Sequence, residues 1–342
     1  MAKDNFMEKL KAFWDKGIAK SRLGQLFIVL FVITIFFILL EPKFFRWQTY
    51  ESMLLQMSEL GILAIAVFLC ILVGGLNISI LGSANLSALM AGLFMLSMVK
   101  EGMAPAQLNI VVLQAFGVAI LVGALCGLFN GIIVGYFHLP PLLATLGTGS
   151  LFIGLFKGIT SGESIFGYPE SLGFIGGGKM LGIPVPFFLF IGATIIMYIV
   201  LHYTKLGYRM YMTGANETTA IFSGIDTRSI ILRTYIIAGM LSSIAGMIIL
   251  SRTMSANYDY GAATYVLFTI FVAVISGSRA GFGSVINMFV AMFALQTLQT
   301  GFNYMLQTVR GNTYFRDFIW GVLLIVFLII NYFTNVKRIE QN

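Results

Sequence analysis

The sequence predicts an all-α membrane protein of about ten transmembrane helices. Three observations predict it: 58% of the 342 residues are hydrophobic, only 10% are charged, and the apolar residues gather into runs long enough to cross a bilayer. A soluble domain carries about 25% charged residues, whereas a membrane span needs roughly 20 consecutive apolar ones. The net charge of +7 would point to nucleic acid in a soluble chain; here it bears on orientation instead, and no nucleic-acid partner is expected.

Taken in order, residues 1–22 form a charged leader, too long and too basic for the n-region of a cleaved signal, with no small-residue cleavage site after the apolar run that follows. Phe6, Leu10, Phe13 and Trp14 recur at helical spacing among Lys3, Lys9, Lys11, Lys16, Lys20 and Arg22. That pattern suits an amphipathic helix on an anionic lipid surface, or a basic leader that only enforces orientation. Apolar runs then fall near 24–40, 54–73, 81–99, 108–136, 142–159, 185–203, 229–250, 264–277, 284–303 and 315–334. Residues 23–334 thus read as one transmembrane domain, followed by a tail, 335–342. The eighth run is short, and the breaks at Gly74-Gly75 and Gly277 are too brief for exposed loops, so broken helices are expected near the centre.

Lysine and arginine set the orientation. With both termini cytoplasmic, thirteen of the 21 basic residues lie inside and eight outside, as the positive-inside rule requires. The polar stretch Gly207 to Arg228, between the sixth and seventh runs, is then cytoplasmic. Leu128-Phe129-Asn130-Gly131 on the fourth run echoes Gly301-Phe302-Asn303-Tyr304 on the ninth, the correspondence expected if helices 1–5 and 6–10 form an inverted repeat.

Gly123, Gly127, Gly131 and Gly135 recur every four residues. One face of the fourth helix is therefore bare backbone, suited to close helix packing. The densest polar patch inside the apolar zone runs from Gly74 to Ser87 and holds Asn77, Ser79, Ser83 and Asn85. Such groups need partners, because hydrocarbon offers none. They line a pathway for a neutral hydroxylated solute, cap a broken helix, or do both; Asn130 and Thr145 join them as pathway candidates. Gln296, Gln299 and Asn303 share one face of the ninth helix by their spacing of three and four, as pathway lining or as polar glue between helices.

Catalysis finds little support. His138 and His202 stand apart, no metalloprotease motif or carboxylate pair occurs in the apolar zone, and Cys70 and Cys126 both sit inside apolar runs as core packing; no metal site is expected. Glu59 is the one well-embedded carboxylate. Gly173 to Met180 reads G-x-x-x-x-G-K, but Met180 stands where a P-loop needs Ser or Thr, and no strand precedes it. ATP, if used, must bind another chain.

Four stretches together resemble a known family. Leu72 to Ser79, His138 to Thr148, Gly207 to Ile225 and Gly281 to Ser284 are similar, in order, to signatures of the ribose, xylose, galactose and autoinducer-type permeases of bacterial ABC importers. The resemblance implies a dimeric inner-membrane permease, paired with a second chain, the same or paralogous. It also implies two cytoplasmic ATPase subunits carrying ATP and Mg, and an extracytoplasmic solute-binding protein. Glu217-Thr218-Thr219-Ala220, followed by Gly224, matches the E-x-x-A-x-x-x-G core of that family's coupling element. Gly214, Asn216, Glu217, Ala220, Gly224 and Ile225 are therefore the expected ATPase contact, with small Ala220 and Gly224 letting a short helix press into a cleft.

The sequence departs from the family at Asn77, where an aspartate is usual, at Tyr265 to Leu267, which lacks a common acidic residue, and at Ser276-Gly277 in place of a Gly-Gly pair. These departures point to a different solute or to one half of a heterodimer. The function expected is the permease subunit of an ATP-driven importer of a small polar solute, a monosaccharide. The rival is a gradient-driven transporter or channel that needs no ATPase, with Glu59 as its proton carrier.

Overall fold

The computed structural model describes residues 21–305, apart from 41–43, 45 and 101, together with 321, 322 and 325. The chain is mostly helical: α1 (Arg22–Leu40), α2 (Trp47–Leu72), α3 (Ile80–Met98), α4 (Pro105–Gly135), α5 (Pro141–Thr160), α6 (Glu170–Gly177), α7 (Val185–Tyr203), α8 (Lys205–Ala215), α9 (Glu217–Phe222), α10 (Thr227–Thr253), α11 (Ala262–Ile275) and α12 (Val285–Met305). A two-residue antiparallel ribbon, β1 (Lys179–Met180) and β2 (Ile183–Pro184), joins α6 to α7. The P-loop-like run therefore lies on a short helix and this ribbon, without the strand-to-helix context that a phosphate cradle needs.

Among the described residues, eight helices are long and apolar enough to span a membrane. They and the shorter α11 cover the first nine expected runs. The tenth, 315–334, lies almost wholly outside the described residues, as do most of the leader and the tail at 335–342. Arg22, placed in the leader by the sequence, instead begins α1 and donates to the Ile275 carbonyl at 2.7 Å. The apolar run of α11 has 14 residues, and at 1.5 Å per residue it reaches only ~21 Å of a roughly 30 Å hydrocarbon layer. Proline opens α4 and α5 at the first helical position, where its missing N–H costs no hydrogen bond.

Two helices form the centre. Every residue of α2 from Met57 to Cys70 is buried, and α10 is buried along most of its length. Helices buried on all sides need apolar residues all round, which is why neither shows a strong polar stripe. The helices α2, α3 and α4 all pack on α10, while α7, α11 and α12 pack on α2 and α1 packs on α12. At the periphery α1, α4 and α5 expose large apolar side chains such as Phe31, Leu39, Leu113, Leu121 and Leu143, a surface suited to lipid.

The α4–α10 contact is close because of its glycines. A Cβ on Gly123 would stand 2.6 Å from the Ser243 Cβ, one on Gly131 would stand 2.9 Å from the Leu232 Cα, and one on Gly135 would stand 3.1 Å from the Arg228 carbonyl. At Gly127 it would run into the Tyr235 carbonyl, and Gly239 faces back onto Gly123 and Gly127. No side chain on α4 fits at Gly123, Gly127 or Gly131.

Both central breaks end their helices in one way. After α2, Gly74 N donates to Ile71 O at 3.0 Å and Gly75 N to Cys70 O at 2.9 Å; after α11, Gly277 N donates to Val274 O at 3.0 Å and Ser278 N to Ala273 O at 3.1 Å. This is the paired-bond ending that needs a left-handed residue, and Gly74 and Gly277 supply it with φ of +87° and +81°.

Candidate functional site

Gly207 to Arg228 folds as most of α8, all of α9 and the start of α10. The Asn216 side chain accepts from Thr219 N at 2.9 Å, and Asp226 accepts from Ser229 N at 3.3 Å. Each caps a helix start that would otherwise leave amides without acceptors. Glu217 follows in the first turn of α9, where a carboxylate opposes the positive helix end. The helix closes through Ile225 N to Ala220 O at 3.0 Å, with Gly224 at φ +77° making the turn. Ala220 is fully buried against its own chain, whereas Ile221 is 55% and Phe222 88% exposed. The outward apolar tip of α9 is therefore Ile221-Phe222. Ala220 seats the helix on its own chain, and Gly224, exposed beside the tip, terminates it.

Gly214 ties this segment to the membrane breaks. Gly281 N donates to Leu72 O at 2.8 Å, and a Cβ on Gly214 would collide with Leu72 O and stand 2.5 Å from Gly281 N. The Tyr211 hydroxyl donates to Gly283 O at 2.9 Å. The end of α2, the turn after α11 and the end of α8 thus meet backbone to backbone, with no flexible side chain between them.

The polar candidates divide into two groups. Asn77, Ser79, Asn130 and Thr145 come together at the α2–α3 break. The Asn77 Oδ1 accepts from Ser79 N at 3.1 Å and Ser79 Oγ at 2.8 Å, Asn130 Nδ2 donates to Ser79 Oγ at 2.7 Å, and Ile78 N donates to Thr145 Oγ1 at 3.2 Å. All four are buried, and the bonds close the free backbone of the broken helix. The neutral amide of Asn77 is acceptor enough for both Ser79 donors. Asn85 donates to the carbonyls of Tyr258 and Tyr260 at 3.1 and 3.3 Å, pinning the α10–α11 connection to α3, and Ser83 lies buried on the same helix.

The second group borders a cavity of about 590 Å³ lined by Gln56, Leu60, Arg252, Tyr260, Gly261, Thr264, Tyr265, Phe268, Gln299 and Asn303. Gln299 and Asn303 reach its wall, and Gln296 stands behind it, its Nε2 3.5 Å from Gln56 Oε1. Next to the wall Glu59 Oε1 accepts from Arg252 at 3.0 Å and from the Tyr265 hydroxyl at 2.7 Å. Arg252 also donates to the Tyr260 hydroxyl. Burial holds the Tyr260 phenol above its ordinary range, so it keeps its proton. The ion pair is internal to the cavity wall and adds no net charge to it.

A family model described as the permease component of branched-chain amino acid transport systems matches residues 49–328, a stretch that holds both the Gly214 junction and the cavity. The chain belongs to this permease family. Among its relatives, the ribose import permease protein of Bacillus subtilis is 30% identical over 91% of this chain and 92% of its own length. The D-allose transport system permease protein of Escherichia coli is 27% identical over 92% and 90%. The xylose/arabinose import permease protein of Sulfolobus acidocaldarius is 30% identical over 90% and 84%. No solved structure gives a significant match.

In this permease the sequence pointed to Glu59 as an isolated carboxylate and counted Arg252 among the outer basic residues. It missed their pairing. A signal existed, since a carboxylate deep in an apolar helix needs a charged or hydrogen-bonding partner, and Arg252 is the basic residue at the far end of α10. Their contact follows only once α2 and α10 are known to be neighbours.

Proposed function

We propose that this chain is the membrane-spanning subunit of an ATP-driven importer that moves a monosaccharide into the cell by alternating access. The observation that carries this reading is the three-way junction at Gly214, Leu72 and Gly281. A force on the exposed α9 tip passes through backbone contacts alone to the ends of α2 and α11, the helices that wall the cavity. Packed elements of this kind shift between discrete arrangements rather than deforming smoothly.

In this proposal two ATPase subunits, holding ATP and Mg, dock on α9 through Ile221 and Phe222, with Asn216, Glu217, Gly224 and Ile225 shaping the contact. A second permease chain, the same or paralogous, completes the pore, and a solute-binding protein delivers sugar from outside. Both termini are cytoplasmic, the domain is 23–334 with a coupling segment at 207–228, and the site is the bacterial inner membrane. Ten spans with an inverted repeat of helices 1–5 and 6–10 complete the architecture; the echo of Asn130 and Asn303 supports it. The sugar assignment rests on the names of the ribose, allose and xylose relatives and on the polar, uncharged cavity wall.

The test is co-purification with the cognate ATPase followed by Phe222→Asp. Loss of the ATPase from a permease that still folds is expected. Retention of a fully coupled complex would remove α9 from the contact.

A further inference from the structure

The cavity between α2, α10, α11 and α12 has a wall whose chemistry selects its occupant. Four neutral polar groups, Gln56, Thr264, Gln299 and Asn303, face a space that also carries the apolar surfaces of Leu60 and Phe268 and the rings of Tyr260 and Tyr265. Its volume lies inside the range of about 300–1,000 Å³ typical of small-molecule pockets. The positive charge in the wall, Arg252, is cancelled at 3.0 Å by Glu59, so neither an anion nor a cation gains by entering. The side-chain amides of Gln56, Gln299 and Asn303 each carry N–H donors and a carbonyl acceptor, and a ligand bearing several hydroxyls, each both donor and acceptor, matches such a wall without bringing charge.

We infer that this cavity, lined by one permease chain, is a binding site for a neutral polyol of monosaccharide size, with the amides of Gln56, Gln299 and Asn303 meeting its hydroxyls. Leu60 and Phe268 take the C–H face of the ring. Glu59 and Arg252 are positioning residues: each fixes the other, and the pair holds Tyr265 and Tyr260 in place. The inference deepens the importer reading and rests on it for the choice of sugars as ligands.

The experiment is thiol protection on the full-length permease in lipid nanodiscs. Thr264→Cys places a thiol in the cavity wall, and the native Cys70 and Cys126 are buried and react slowly. D-ribose, D-allose and D-xylose are the probes, with D-gluconate and D-glucosamine as charged counterparts. A neutral sugar at roughly four times its dissociation constant leaves about one site in five free, so alkylation should slow about fivefold. Gln299→Ala in the same background should abolish the protection. If Thr264→Cys fails to fold, Asn303→Cys offers a second thiol on the same wall.

Equal alkylation rates with and without every neutral sugar, or protection by the charged compounds alone, would overturn the site. ATP-driven uptake is measured separately. Uptake without protection sinks the site and leaves the importer, whereas protection without uptake sinks the importer and leaves the site.

Discussion

The amide of Gly281 donates to the carbonyl of Leu72 at 2.8 Å, joining the turn after α11 to the end of α2. The backbone of Gly214 fills the space beside that bond. A junction made of three backbones leaves no room for a side chain at Gly214, and this makes Gly214 a packing residue of the permease rather than a loop residue.

Gly214→Val should therefore damage the fold as well as transport. Overpacking a tight site costs about 1–3 kcal/mol, and here the obstruction is backbone, which cannot rotate away. A lowered unfolding temperature of the purified chain is expected. An unchanged one would show that the junction opens easily.

At the tip of α9, Phe222→Asp and Ala220→Trp should separate docking from folding. Phe222 is 88% exposed, so its replacement should leave stability within about 0.5 kcal/mol while weakening ATPase capture in a pull-down. Ala220 is buried, so the larger side chain should destabilise the chain first. Gly224 is a poorer probe, since its φ of +77° strains any side chain placed there.

The glycine stripe of α4 offers an internal control. Gly127→Leu should disrupt the α4–α10 contact, because its Cβ meets the Tyr235 carbonyl, while Gly147→Ala on α5, with nothing within 4 Å of its Cβ, should be neutral. Thermal unfolding of the two purified variants checks the contrast. Equal losses would mean that the helices separate freely.

Much of this was legible in the sequence, and what was not has physical causes. The apolar runs located nine helices because a bilayer admits few alternatives. The glycines every four residues marked a packing face, though not that Tyr235 and Gly239 of α10 lie on it. The E-x-x-A-x-x-x-G spacing falls on the short helix α9 but does not give its rotation, since small residues four apart read alike whether they face outward or their own core. Asn77, Ser79 and Thr145 read in one dimension as pathway lining, as closing a broken helix, or as both; their hydrogen bonds close the break.

The Glu59–Arg252 pair gives a further prediction. Glu59→Gln alone leaves a guanidinium without its counter-charge, and breaking a buried pair costs about 3–5 kcal/mol. The double variant Glu59→Gln with Arg252→Gln should recover much of that loss. Unfolding temperatures of both singles and the double close the cycle, and strictly additive losses would show that the pair is not coupled.

The most direct measurement is uptake of labelled D-ribose, D-allose or D-xylose into proteoliposomes holding the permease, its ATPase and its binding protein, with and without ATP. Uptake is expected to need ATP, to stop with vanadate and to be lost in Phe222→Asp. Uptake by the permease alone, driven by a gradient, independent of ATP and abolished by Glu59→Gln, would contradict it.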